Sequence, residues 1–135
     1  MPVNGPDIVA VDRRTGRPIV VEAKGTTGSR PLGRRALRST AGGQRVTQTA
    51  PDWLANNPER YLRQLRNSPN ANDRRTADLL EDIVDNRAPY DVKIYNSRPS
   101  GHGGYGSGVD GAVDEIRAGG QVQDVEIVDV QRPPP

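Results

Sequence analysis

The sequence predicts an α/β protein in which a mixed central sheet is flanked by helices. Two apolar runs, Ile8 to Val11 and Ile19 to Val21, flank a polar turn that contains Gly16, which is typical of a β-hairpin. Apolar residues then recur with a helical period from Asp73 to Asp85, and an alternating strand follows at Tyr90 to Asn96. A helix between strands favours layers of helices and sheet. A length of 135 residues favours a single domain, residues 1–135.

Three charged side chains converge at one end of the predicted hairpin. Asp7 opens the first strand, while Glu22 and Lys24 close the second strand on a shared face, because side chains alternate along a strand. A loop of Arg13 to Arg17 would pair the strands so that Asp7 falls beside Ala23. Opposed and diagonal side chains of paired strands lie roughly 5–8 Å apart. Two carboxylates at that spacing repel each other unless a cation lies between them, and oxygen ligands suit Mg²⁺ or Mn²⁺.

The other elements are predicted from periodicity and from glycine and proline. The apolar runs of the hairpin are nearly continuous, so we expect its strands in the centre of the sheet with both faces covered. The predicted loop sets Asp12 opposite Pro18, and residues 25–49 are expected to form a long loop with at most one helical turn at 34–38. Three helices are predicted next: one capped by Thr49, with Trp53 in the core, one from Pro58 and one from Asp73. After the strand at Tyr90 to Asn96, we expect a glycine-rich loop at Gly101–Gly108 and a helix at Val109–Ala118, which ends before Gly119 and Gly120. The last predicted element is a strand at Gln121–Val130.

Positive charge is concentrated in one part of the chain. The net charge is only +2, yet no acidic residue lies between Glu22 and Asp52. This basic segment contains Lys24, Arg30, Arg34, Arg35, Arg38 and Arg45. The stretch from Asp110 to Asp129 is acidic instead. A basic segment next to a predicted metal site indicates a polyanionic partner, with nucleic acid as the leading candidate.

The residues of the hairpin resemble a known nuclease signature. Pro6-Asp7, a hairpin and then Glu22-Ala23-Lys24 resemble the PD-(D/E)xK motif of restriction-endonuclease-like nucleases. Gly5, just before Pro6-Asp7, and Gly25, just after Lys24, resemble the flanking glycines in the nuclease domains at the tips of bacterial polymorphic and contact-dependent growth-inhibition toxins. A later segment, Gly42 to Thr47 followed by Trp53, resembles the glycine-glutamine and tryptophan segment that follows the motif in those toxins.

This resemblance implies a restriction-endonuclease-like fold and a metal-dependent nuclease. Asp7 and Glu22 are then expected to hold one Mg²⁺ or Mn²⁺ together with the carbonyl oxygen of Ala23. Lys24 is expected to orient the attacking water or to stabilise charge on the phosphate, and Gln44 to make a supporting contact. The arginines of the basic segment would follow the nucleic-acid backbone. The resemblance further implies a toxin domain that a larger secreted protein delivers into the cytoplasm of a target cell, and a cognate immunity protein that binds its basic face.

Composition excludes several other chemistries, and two other functions stay open. Cysteine is absent and there is one histidine, so neither a thiolate metal site nor a histidine-based triad is expected. We expect no signal peptide before the motif and no membrane span.

Members of the nuclease family that the hairpin resembles usually carry a helix before this hairpin, whereas four residues precede Gly5 in this sequence. A non-catalytic nucleic-acid-binding module on the same fold is therefore one alternative. A protein-interaction module that uses the acidic C-terminal third is the other. The residues do not separate DNA from tRNA as the substrate.

Overall fold

The computed structural model describes residues 8–25, 38–41, 44–56, 58–99 and 108–132. These residues form ten helices and strands. In chain order they are β1 (Ile8–Val11), β2 (Pro18–Gly25), β3 (Arg38–Ala41), β4 (Gln44–Thr47), α1 (Pro51–Asn56), α2 (Pro58–Arg66), α3 (Ala71–Asp85), β5 (Tyr90–Pro99), α4 (Gly108–Arg117) and β6 (Val122–Arg132).

Four of the strands form a mixed sheet in the order β1-β2-β5-β6. The hairpin pair β1-β2 is antiparallel, whereas β2-β5 and β5-β6 are parallel. The helices α1 to α3 precede β5 and α4 precedes β6, so helical crossovers connect the parallel strands. The predicted α/β class with a mixed sheet is confirmed. The prediction that both hairpin strands are central is wrong for β1, which is an edge strand of the described sheet.

The sheet has one covered face and one open face in the described part of the chain. Val20 of β2 and Val92 of β5 are Cα partners, and both are buried. Ala23 and Tyr95 are partners on the opposite face, and both are exposed. The expectation that both faces of the hairpin strands are covered is therefore wrong. The buried cluster joins the covered face to α1, α3 and α4 through Val9, Val20, Ala50, Trp53, Leu54, Leu80, Ile83, Tyr90, Val92, Ile94, Val109, Ala112, Ile116 and Val122.

The register of the first hairpin differs from the prediction by one residue. The ladder pairs Val11 with Pro18, and the Asp12 amide donates to the Arg17 carbonyl at 2.9 Å. The predicted register, with Asp12 opposite Pro18, is therefore wrong by one residue. Within the turn, the Asp12 carboxylate accepts the Arg14 amide at 2.8 Å, and Gly16 takes a left-handed φ of 73°.

A second hairpin occupies part of the segment that was expected to be a loop. Strands β3 and β4 pair antiparallel, with Ser39 opposite Val46. Arg38 belongs to β3, so the expected helical turn does not include it. The hairpin contacts α1 and α4 rather than extending the main sheet. The two strands contain one large apolar residue, Val46, and it is their pairing rather than a hydrophobic alternation that defines them.

The helices follow the predicted pattern with differences at the starts of α1, α3 and α4. The helix α4 begins at Gly108, which was predicted as the last residue of the glycine-rich loop. Asn70 caps α3 by accepting the Asn72 amide at 2.8 Å, so this helix begins at Ala71, before the predicted Asp73. Thr49 does not cap α1: it has a left-handed φ of 73°, and its hydroxyl has no hydrogen-bond partner among the described residues. Trp53 is buried in the core, as predicted.

Tyr90 fastens the start of β5 to the segment before α1. Its hydroxyl donates to the Thr49 carbonyl at 2.6 Å, and burial, with a smaller contribution from the Asp52 charge, raises the pKa of this phenol. This contact holds the segment between β4 and α1 against β5, the strand that neighbours β2 in the sheet.

Candidate active site

Four polar side chains lie on the covered face of the sheet, towards the carboxyl ends of its parallel strands. In strand register, Lys24 of β2 is the Cα partner of Asn96 of β5, which is the partner of Asp129 of β6. Glu22 lies two residues before Lys24 on the same face. The Cα partner of Glu22 on β5 is an apolar residue, Ile94, which lies closer to the centre of the sheet than Asn96 does. The polar groups therefore occupy the end of the sheet at which open α/β proteins bind ligands.

Glu22 and Lys24, both predicted site residues, lie together. The Lys24 Nζ atom is 3.8 Å from the Glu22 Oε2 atom, and the two side chains are 20% and 8% exposed. Ala23 between them points to the open face and is exposed. The carboxylate and the ammonium group therefore share a face, as the spacing of two predicted, and that face is the mostly buried core side.

Sequence reasoning missed Asn96 and Asp129. Asn96 is 1% exposed, and its Nδ2 atom donates to the Asp129 Oδ1 atom at 3.2 Å. Its Oδ1 atom is buried without a hydrogen-bond partner among the described residues. The signal that could have found it is in β5 itself. Val92, Ile94 and Asn96 have the same parity, so Asn96 places an amide where the pattern calls for an apolar side chain.

Several predicted site residues lie outside what the structure describes. Asp7, Arg30, Arg34 and Arg35 are not among the described residues. What the structure does describe is the position just after Asp7: Ile8 is the Cα partner of Val21, the residue that precedes Glu22.

The predicted residues Arg38, Gln44 and Arg45 are described at the level of the β3-β4 backbone. Arg38 pairs with Thr47 and Thr40 pairs with Arg45, so positions 38 and 45 belong to one face of this hairpin. Gln44 pairs with Ala41 and belongs to the other face. The register therefore separates the two predicted phosphate-contacting positions from the predicted supporting glutamine.

A side-chain contact fixes this second hairpin to the main body of the protein. The Thr47 hydroxyl of β4 donates to the Glu115 carboxylate of α4, and Thr47 is buried. Because α4 also contacts β6, the hairpin is linked through the helix to the strand that contributes Asp129. Positions 38 and 45 share their hairpin face with Thr47, so this contact sets the orientation of that face.

The oxygen donors of the site suit a hard divalent cation. Among the described residues, no three histidine or acidic side chains come together as a metal-binding group. Glu22 contributes a carboxylate and Asn96 an amide oxygen, and both are ligand types that Mg²⁺ and Mn²⁺ accept. The donor set therefore fits the predicted metal in kind, and the second predicted carboxylate is that of Asp7.

The described surface also has an open groove of about 440 Å³ along α3. Its lining residues are Arg75, Asp78, Leu79, Glu81, Asp82 and Asn86. None of them is a predicted site residue. Their charges are most simply the solvated outer face of an amphipathic helix whose inner face is Ala77, Leu80 and Ile83.

Comparison with known proteins gives no identification. No protein-family model, curated protein or solved structure matches this chain. In the described part of the chain, every helix is too short or too polar to cross a membrane.

Proposed function

We propose that this chain is a metal-dependent nuclease that hydrolyses phosphodiester bonds in DNA or tRNA. The observation that carries the proposal is the Glu22–Lys24 pair. It is mostly buried on the core side of β2, with a separation of 3.8 Å between Nζ and Oε2. The antiparallel partner strand begins one residue after Asp7, and its Ile8 pairs with Val21. The proposal adds to this pair the carboxylate of Asp7, which precedes β1 in the sequence.

Burial is what distinguishes this pair from an ordinary surface ion pair. Exposed lysine–carboxylate pairs contribute only about 0–1 kcal/mol and are common. A carboxylate in the core layer is costly unless a charge or hydrogen bonds compensate it, and such groups concentrate at functional sites. The side chain of Glu22 is 8% exposed, whereas the next residue, Ala23, lies on the open face and is exposed. A functional role explains why the charge lies on the covered face.

Each residue has a distinct role in the proposed reaction. Asp7 and Glu22 would hold one Mg²⁺ or Mn²⁺ together with the Ala23 carbonyl oxygen. When bound, the cation would acidify a water molecule and polarise the phosphate. Lys24 would orient the attacking water or stabilise negative charge that develops on the phosphate. Gln44 would make a supporting contact.

The substrate contacts would come from the basic segment. The proposed phosphate-binding residues are Arg30, Arg34, Arg35, Arg38 and Arg45. Arginines suit phosphate because the guanidinium group donates two parallel hydrogen bonds. Binding of this kind weakens as the salt concentration rises, because binding releases counterions from the nucleic acid and this release is less favourable in high salt.

The biological setting that we propose is antibacterial. The domain would act as a toxin that is delivered as part of a larger protein into the cytoplasm of a target cell. A cognate immunity protein would neutralise it by covering the basic face near Lys24. This part of the proposal rests on the resemblance of the Pro6-Asp7 and Glu22-Ala23-Lys24 segments.

Cleavage assays on paired substrates test the proposal. Plasmid DNA and total tRNA are incubated with the wild-type chain or with Glu22→Gln, in Mg²⁺, Mn²⁺ or EDTA. We expect the wild type to cut one of the two substrates only when the metal is present, and we expect Glu22→Gln to lose this activity. Glu126→Gln is a matched control, since Glu126 forms the same kind of pair with Lys93 at 3.8 Å but is 53% exposed. The control should cut as the wild type does.

Absence of cutting by the folded wild type in every metal would overturn the nuclease proposal. Nucleic-acid binding without cleavage would then favour the non-catalytic module. Loss of binding as well would direct the search to protein partners of the acidic C-terminal third.

A further inference from the structure

The side chain of Asn96 has one polar atom satisfied and one unsatisfied. It lies in the core layer at 1% exposure, where its Nδ2 atom donates to the Asp129 Oδ1 atom at 3.2 Å. No described residue donates to its Oδ1 atom. Buried polar atoms in native proteins almost always have a partner, and exceptions call for an explanation such as an ion or a functional contact.

The hydrogen bond to Asp129 determines which way the carboxamide faces. An ionised carboxylate only accepts hydrogen bonds, so the amide nitrogen has to face Asp129 and the oxygen has to face away from it. Asp129 lies on β6, on one side of Asn96, and Lys24 lies on β2, on the other side. The oxygen thus faces away from β6, and the neighbouring strand on the other side of β5 is β2, which carries Glu22 and Lys24.

The distance between these positions is short enough for one shared site. Neighbouring strands are about 4.8 Å apart and residues two apart on a strand about 6.6 Å, so Asn96 and Glu22 are diagonal neighbours on the same face at roughly 8 Å between Cα atoms. Side chains of glutamate and asparagine together span such a gap. An amide oxygen beside a carboxylate is a combination that hard divalent cations bind.

We propose that Asn96 supplies a neutral oxygen ligand to the cation site that begins at Glu22, and that Asp129 fixes the orientation of its carboxamide. This inference rests on the proposed function, because it assigns a further ligand to the same site. It explains why an amide replaces an apolar residue in the third position of the Val92, Ile94, Asn96 series. It also extends the site across three strands, from β2 through β5 to β6.

Calorimetric titration of the full chain with MnCl₂, without nucleic acid, tests this assignment. We expect the wild type to bind Mn²⁺, and Asn96→Ala to bind at least about tenfold more weakly. Asn86→Ala is the matched control, because Asn86 also donates its Nδ2 atom to an aspartate, Asp82, at 2.8 Å, but is exposed. Its affinity should equal that of the wild type. Glu22→Gln serves as the reference loss of the site.

A second variant keeps the test decisive if Asn96→Ala does not fold. Asp129→Asn preserves the size of a half-buried side chain but can donate as well as accept, so it no longer dictates the orientation of the Asn96 amide. We expect several-fold weaker Mn²⁺ binding by this variant, with its folding checked by circular dichroism.

The outcomes separate the two proposals. If Glu22→Gln weakens Mn²⁺ binding while the folded Asn96 and Asp129 variants bind as the wild type does, the Asn96 assignment is overturned and the proposed metal site stands. If the wild type does not bind Mn²⁺, or if Glu22→Gln has no effect on binding, both proposals fall.

Discussion

Two lysine–glutamate pairs in this protein have the same separation but different surroundings. The Lys24–Glu22 and Lys93–Glu126 atoms are both 3.8 Å apart. The first pair lies on the covered face of the sheet, while Lys93 and Glu126 lie on the open face at 36% and 53% exposure. Solvent screens the second pair, so we expect it to contribute little to stability. Residue identity and distance alone would not tell the two pairs apart, and burial does.

At the residue scale, Asp12 makes the stability of the hairpin turn depend on pH. The hydrogen bond from the Arg14 amide, with help from the Arg14 charge, lowers the pKa of Asp12 from its ordinary value of 3.8. A lowered pKa means that the folded state binds the proton less readily than the unfolded state. The stabilisation is therefore present above the ordinary pKa and is lost as the pH falls through the pKa of the folded protein.

This predicts a carboxyl titration midpoint below 3.8 for Asp12, measurable from its ¹³C chemical shift. Asp12→Asn should also lose less stability than the wild type between pH 7 and acid, as measured by urea denaturation. A midpoint at or above 3.8 would contradict the role assigned to the turn.

At the scale of elements, the β3-β4 hairpin presents two arginine positions on one face. Positions 38 and 45 share that face with Thr47, which is bound to α4 through Glu115. If these positions contact phosphates, Arg38→Ala and Arg45→Ala should each weaken nucleic-acid binding and reduce the slope of log affinity against log salt by about 1.

Fluorescence anisotropy with labelled nucleic acid at several salt concentrations measures both quantities. Arg75→Ala, an exposed arginine on the outer face of α3, is the control and should leave the slope unchanged. Equal slopes for all three variants and the wild type would remove the hairpin from the proposed interface.

The elements that sequence reasoning predicted are those with a local cause. The helix α3 has a stripe of Ala77, Leu80 and Ile83, all buried. The helix α4 ends at Arg117, and Gly119 and Gly120, which both have positive φ values, follow it closely. The hairpin β3-β4 was missed because its four-residue strands have almost no hydrophobic pattern. The register of β1-β2 was wrong by one residue because the Asp12 carboxylate sets the turn length, and strand sequences do not encode it.

The same distinction applies to the candidate site. Glu22 and Lys24 could be predicted together because their spacing of two is local. Asn96 and Asp129 are far from them in sequence and from each other, and only the parallel pairing of β2, β5 and β6 brings them into one row. That pairing depends on crossovers and on packing of the whole core, which a single sequence does not display.

At the scale of the whole molecule, the described chain is a sheet with helices packed on one face. The buried cluster includes residues of α1, α3 and α4, and no second cluster covers Tyr95 and Val130 among the described residues.

The two faces should therefore respond differently to substitution. Ile94→Ala, at a fully buried position, should lower the free energy of unfolding by about 2–5 kcal/mol.

Val130→Thr, on the open face, should change it by less than about 0.5 kcal/mol. Urea denaturation of both variants against the wild type gives the comparison. A large loss of stability in Val130→Thr would show that this face is covered.

We propose that the buried Glu22–Lys24 pair takes part in metal-dependent phosphodiester hydrolysis. The most direct measurement is the initial rate of cleavage, in Mg²⁺ and on the substrate that the wild type cuts, for Lys24→Ala and Lys93→Ala side by side. We expect a loss of at least about 100-fold for Lys24→Ala, because charge stabilisation in the transition state contributes that much. We expect the rate for Lys93→Ala to equal the wild-type rate. Equal rates for the two variants, with both folded, would contradict this proposal.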